Sequence, residues 1–173
     1  WQRIKIVVLV PDDSLKREAM RSLVMSGVDV DSIRFLVLPS DTIWARDWGP
    51  LVIDSGGGVQ KWVNPVATAS VDFPRFRDDH IPLALSRLML TSHVNSPIFL
   101  HGGGLLTNGA GLSLVARSQL VWNGKLGIPE PHVTRTLQRL TGTQDVVYVD
   151  TLSDEPTEHV DWFAAFTAVD SII

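Results

Sequence analysis

The 173-residue sequence contains no cysteine, which excludes disulfides, thiolate zinc sites and a cysteine nucleophile within these residues. No apolar run approaches the roughly eighteen residues a membrane-spanning helix needs, so no such helix is expected. Near Trp1 there is neither the basic stretch nor the apolar stretch of a signal peptide, and a cytoplasmic location is the simplest expectation. Basic character is also short. The net charge is −4 and the 15 Lys and Arg are scattered rather than gathered in a stripe, which argues against nucleic acid as the main partner. What is present is 45% apolar, enough at this length to bury a core, and residues 1–173 are expected to form a single domain.

One stretch concentrates chemistry. Thr42-Ile43-Trp44-Ala45-Arg46-Asp47-Trp48-Gly49-Pro50 places two tryptophans around an Arg-Asp pair, and a Gly-Pro breaker precedes the strand-like run Leu51-Val52-Ile53. A carboxylate, a guanidinium and two aromatic faces at a chain turn suit a cleft for something flat and charged. The plain alternative is a solvated Arg-Asp turn with both rings in the core.

Around it, the periodicity predicts strands at 4–10, 33–38, from Leu51, at 59–63 and at 146–149. A strand opening at 98–100 and another at 112–116, paired with 119–122, are also expected. Helices are expected after Ser14 as cap with Gly27 as stop, after Asp79 with Pro82 in the first turn, and from Pro129 and Pro131 to Gly142. Ser55-Gly56-Gly57-Gly58 reads as a hairpin turn, and the aperiodic residues 64–78, with Phe73, Arg75, Phe76 and Arg77, read as a lid or an excursion.

Three stretches share one grammar of strand, turn-rich connection bearing polar groups, and strand, with helices between them. The marks Asp47, Asn108 and His159 lie 61 and 51 residues apart, which indicates modular stacking. If the modules surround one axis, Asp47, His101, His159 and Asp161 become neighbours in space. The strings Trp44 to Pro50, Gly102-Gly103 with Thr107-Asn108-Gly109-Ala110-Gly111, and His159-Val160-Asp161-Trp162-Phe163 together resemble the agmatine deiminase and bacterial (Porphyromonas-type) peptidylarginine deiminase family of guanidine-modifying enzymes. The resemblance implies an α/β fold of the pentein type, a propeller of five β-α-β-β units. Only about two and a half to three of these units fit in this length, so an incomplete, N-terminal part of a propeller is expected.

The resemblance also implies hydrolysis of a guanidino group, on agmatine or peptidyl-arginine, to a ureido group plus ammonia. For agmatine this is a step in putrescine biosynthesis. A guanidinium is a planar fork of donors that a carboxylate meets in its plane, and two carboxylates on different edges would fix it. Asp47 and Asp161 are the candidates, with His159 as the proton donor and acceptor. In an extended segment His159 and Asp161 would point to one face, although a structural hydrogen-bonded pair is the plain alternative. Substrate-binding candidates are Trp44, Arg46, Trp48, His101, Gly102, Gly103 and Asn108, with Arg46 expected to orient Asp47 and the tryptophans to wall the pocket. Neither a cofactor nor a metal is called for.

The departures from the family pattern are specific. The family's attacking cysteine thiolate, late in its chain, is absent here. His101 stands where the family has glutamate and Asn108 where it has aspartate. The first departure suggests that a longer chain supplies the nucleophile, so that these residues alone would not turn over. The second argues for an altered substrate or lost activity, because a cationic ring would repel a guanidinium.

A non-catalytic descendant that binds a guanidino ligand or a partner protein is the reading from another class. A metal-dependent hydrolase using His101, His159, Asp161 and Asp47 is a further alternative. His101-Gly102-Gly103-Gly104 also resembles an esterase oxyanion string, but Gly111-Leu112-Ser113-Leu114-Val115 lacks the second glycine that chemistry needs. His80, His93 and His132 read as exposed or capping. An incomplete propeller exposes sheet surface, which predicts self-association or contact with a complementary segment.

Overall fold

A computed structural model describes residues 6–54, 59–66 and 75–173. Strand β1 (Ile6–Val10) leads through helix α1 (Asp13–Met25) to strand β2 (Ile33–Val37), and the two strands pair in parallel from Ile6 opposite Ile33 to Val10 opposite Val37. Parallel pairing requires such a crossover, because a short turn can only reverse the chain. The helix begins two residues earlier than its Ser14 suggested. Asp12 is the cap, its carboxylate accepting the Leu15 N–H at 2.9 Å, as an extended residue directly ahead of a helix is placed to do. Gly27, at φ 77°, ends it in the left-handed region.

A one-turn helix α2 (Ala45–Trp48) follows, then strands β3 (Leu51–Asp54) and β4 (Gln60–Asn64), helix α3 (Ile81–Leu88) and strand β5 (Ser92–Asn95). Strand β4 is central, antiparallel to β3 and parallel to β5. The Ser55–Gly58 turn lies outside the described residues, as do residues 67–74 of the expected lid. Asp79 does not cap α3: it sits inside a 3₁₀ turn, Asp78–His80, that runs straight into the helix. The following strands β6 (Leu105–Thr107), β7 (Leu112–Ala116) and β8 (Asp145–Val149) repeat the arrangement, with helices α4 (Ser118–Lys125) and α5 (Glu130–Thr141) before the parallel strand. A hairpin of β9 (Phe166–Ala168) and β10 (Ser171–Ile172) ends the chain. The grammar read in the sequence is therefore present in an α/β fold, and each three-stranded sheet groups its elements in the frame β-β-α-β.

Two expected strands are corrected. Residues 119–122 belong to α4, because Gln119 and Asn123, four residues apart, are both buried on one helical face. Residues 98–100 form no strand beyond a single bridge between Leu100 and Val66, yet Ile98, Phe99 and Leu100 are each almost wholly buried. Asn123 takes the place of a neighbouring strand. Its side chain accepts the Phe99 N–H at 2.9 Å and donates to the Phe99 carbonyl at 3.0 Å, satisfying backbone that burial would otherwise leave unpaired. The main core joins Ile98, Leu100, Leu105, Val115, Val133 and Leu137. A second cluster of Leu114, Ala116 and Val160 ties the C-terminal turn to β7. Among the described residues, no helix is long and apolar enough to cross a membrane.

Candidate active site

Three turns distant in sequence converge: α2, the 3₁₀ turn Gly102–Gly104 and the 3₁₀ turn Val160–Trp162. The glycines make the approach feasible. A Cβ on Gly102 would strike the Arg46 carbonyl, one on Gly103 would strike the His159 ring, and one on Gly104 would strike the Gln119 amide. Gly103→Ala is therefore expected to displace His159 and cost about 2 kcal/mol, the usual scale of overpacking. Urea denaturation measures the loss, and an unchanged midpoint would contradict the packing described.

The approach path to α2 is held from below. Asp78, 1% exposed, accepts from the Asp41 N–H at 2.7 Å, the Thr42 N–H at 3.3 Å and the Thr42 hydroxyl at 2.7 Å. On the far side, Glu155 accepts the His159 N–H at 2.8 Å, which fixes the backbone as it enters the last turn.

Asp47, His101, His159 and Asp161 do come together. Asp47 Oδ1 lies 2.9 Å from His159 Nε2, and Asp161 Oδ1 lies 3.5 Å from His159 Nδ1. One imidazole thus bridges two carboxylates. The relation differs from the expected one: His159 is extended but Asp161 lies inside a helical turn, so the two side chains face each other instead of pointing in parallel. Each carboxylate also holds an arginine. Arg75 Nη1 is 3.1 Å from Asp47 Oδ2, and Arg46 Nε is 2.9 Å from Asp161 Oδ2. Arg46 thus serves Asp161 and not Asp47 among the pairs seen. Asp47, His159, Asp161, Arg46 and Arg75 open onto a cleft of about 710 Å³ walled by Trp44 and Trp162, whereas the expected substrate-binding residues His101, Gly102 and Gly103 are buried behind it and do not line it.

Charge follows the geometry. Burial alone would lower the His159 pKa, but the Asp47 carboxylate against Nε2, helped by Asp161 and Glu155, holds it above the usual 6.5. Burial likewise works to raise Asp47, and the contacts with His159 and Arg75 outweigh it, keeping the carboxyl below 3.8. His101 is the opposite case. Burial, with the neighbouring His159 charge, overrides the pull of Asp47 and Glu155 and brings it down to about 4. It is therefore neutral at pH 7, and the repulsion anticipated from a cationic ring is absent. Its ring stacks on that of His159 with centroids 4.9 Å apart.

Asp47, His101 and His159 can each offer a ligand atom, all within 4.8 Å of one another. Yet His101 Nδ1 accepts the Gly104 N–H at 3.0 Å. In the neutral ring the proton then sits on Nε2 and no lone pair is free, so a metal would have to break that bond. The donor set fits a metal poorly.

Asn108 and Trp48 lie farther away. Asn108 closes the β6–β7 turn, its Oδ1 accepting from Ala110 and Leu112 and its Nδ2 donating to the Val169 carbonyl. Trp48 is buried and borders a separate cleft beside α1. Arg75, Glu155 and Trp162 were missed as site residues. For Arg75 the available signal was a charged, aromatic cluster in an aperiodic connection, and for Trp162 its place one residue after Asp161.

The arrangement can hold a planar cation between carboxylates and aromatic faces, and move a proton at His159. The chain is similar to known proteins over nearly its whole length. The sequence model described as Porphyromonas-type peptidyl-arginine deiminase matches residues 2–173. A Selenomonas ruminantium protein named provisionally as an agmatine deiminase is 24% identical over 94% of this chain and 46% of its own length. An agmatine deiminase of Enterococcus faecalis superposes with a TM-score of 0.86 at 19% identity, covering 99% of this chain and 48% of that one. A Cys→Ser variant of C. jejuni agmatine deiminase with substrate bound gives 0.79 at 18%, covering 97% and 50%. The chain spans about half the length of the relatives it matches.

Proposed function

Because this chain belongs to the Porphyromonas-type peptidyl-arginine deiminase family, we propose that it forms the guanidinium-gripping part of a deiminase that converts a guanidino group, on agmatine or peptidyl-arginine, to a ureido group and ammonia. Asp47 and Asp161 take two edges of the guanidinium, Trp44 and Trp162 cover its faces, and His159 carries protons to the leaving ammonia and from the incoming water. The attacking thiolate comes from a complementary segment, within a five-unit propeller that the β-β-α-β sheets here begin. The observation that carries this reading is the convergence of two carboxylates on one imidazole while each already binds a guanidinium of the chain itself.

Calorimetric titration with agmatine tests it. A cation on Asp47 lowers the proton affinity of His159, so binding releases a proton. Affinity is then expected to fall, by up to about tenfold per unit, as pH drops below the raised pKa of His159, and to level off above it. A flat profile, or binding that survives Asp47→Asn, would overturn the assignment. No ureido product is expected from these residues alone, since none of the 173 is cysteine. That same fact favours the second reading, a guanidino-binding module without turnover. The two separate on whether a full-length protein carrying this chain releases ammonia from agmatine.

A further inference from the structure

We propose that Arg75 is a tethered competitor for the guanidinium site, a residue that sets how tightly and how selectively a ligand is held. The inference rests on the guanidinium reading of Asp47 given above. Each oxygen of Asp47 already has a neighbour of the chain's own: Oδ1 lies 2.9 Å from His159 Nε2 and Oδ2 lies 3.1 Å from Arg75 Nη1. The Arg75 and Asp47 side chains are only 12% and 14% exposed, so this is an interior pair within the cleft and not a loose surface contact. A ligand guanidinium that is to meet Asp47 in its plane competes with these two for the carboxylate.

His159 is the harder to move. Its ring stacks on His101, packs against Gly103 and lies between two carboxylates. Arg75 offers the same planar fork of donors as the ligand, so in the exchange Asp47 keeps a guanidinium partner while the displaced Arg75 stays tethered beside it and the cleft gains one cation. At Asp161 the equivalent occupant, Arg46, is 61% exposed in its side chain and yields more easily.

The consequence is selective. A bare guanidinium gains little over the resident one, so net affinity has to come from what else the ligand carries, above all an apolar stem against Trp44 and Trp162. Apparent affinity is the intrinsic value scaled by the fraction of molecules with Asp47 free. If Arg75 holds Asp47 in about nine molecules of ten, its removal tightens binding about tenfold.

The test is agmatine titration at pH 8 by calorimetry. Arg75→Gln is expected to bind about tenfold more tightly than the unmodified protein, and Arg75→Lys, which keeps a charge on Asp47 and so protects the local fold, by an intermediate factor. Arg77→Gln is the control for charge alone. Arg77 pairs with Asp41 away from the cleft, and its replacement is expected to leave affinity unchanged. If Arg75→Gln binds equally or more weakly while Asp47→Asn still abolishes binding, Arg75 is a support for Asp47 and the proposal falls with the guanidinium reading intact. An equal gain in Arg77→Gln would also sink it, as a field effect. If Asp47→Asn binds as well as the unmodified protein, or no variant binds, the reading and the proposal fail together.

Discussion

Asp78→Ala is expected to cost about 3 kcal/mol of stability and to abolish detectable agmatine binding, although Asp78 touches no part of the cleft. The carboxylate accepts three hydrogen bonds from Asp41 and Thr42 while itself almost wholly buried. Alanine leaves those donors facing a cavity, and each buried donor without a partner costs about 1–3 kcal/mol, lessened here because Asp41 and Thr42 border solvent. The segment so released is the one that carries Trp44, Arg46 and Asp47 into place. Helix α2 is a single turn with no side-chain cap of its own, and one turn of helix does not hold itself in water. Asp78→Asn keeps one acceptor and presents an amide to the Thr42 hydroxyl, and is expected to lose about half as much. Denaturation midpoints of the two variants, with agmatine titration of each, check both halves. Normal binding in a destabilised Asp78→Ala would show that α2 is positioned by other contacts.

The role of Asp78 illustrates what a sequence conceals. The motif residues Asp47, His159 and Asp161 were legible because their chemistry is local: the residue types and short spacings belong to turns, and the strands that deliver them are apolar runs. Helix α5 was equally readable, its Val133 and Leu137 repeating at helical spacing up to Gly142. Strand β5 was not, because Ser92–Asn95 is mostly polar and exposed along its length and is held by pairing with β4. Helix α4 was hidden for the converse reason. Val121 and Trp122 favour a strand locally, and burial of Gln119 and Asn123 overrides them. Arg75 and Asp78 sit where no periodicity exists, and their partners lie 28 and 37 residues away. Long-range polar contacts of that kind leave no pattern in a single sequence.

The buried ring of His101 makes the other large prediction. The two stacked histidines respond to acid with opposite sign. His159 has a folded pKa above its ordinary value, so its contribution is fully present below pH 6.5 and is lost as pH rises through the raised folded value. Asp47, held below 3.8, contributes above that pH and loses its contribution as pH falls through its depressed folded value. His101 has a folded pKa depressed to about 4 from 6.5. The unfolded chain therefore binds the extra proton first, and stability that is intact above pH 6.5 drains away as pH falls toward 4. At roughly 1.4 kcal/mol per pKa unit, the loss attributable to this one ring by pH 4 is about 3 kcal/mol. Replacing it with asparagine keeps an acceptor near the position of Nδ1 for the Gly104 N–H and removes the titration. His101→Asn also leaves a cavity against Phe99, but that cost is the same at every pH and cancels when the difference in unfolding free energy between pH 7 and pH 4 is compared with that of the unmodified protein. The difference is expected to shrink by about 3 kcal/mol in the variant. Equal pH dependence in the two proteins would mean that His101 keeps its ordinary pKa of 6.5 in the folded state, and in acid a charged ring beside His159 would then repel the very cation the cleft is proposed to hold.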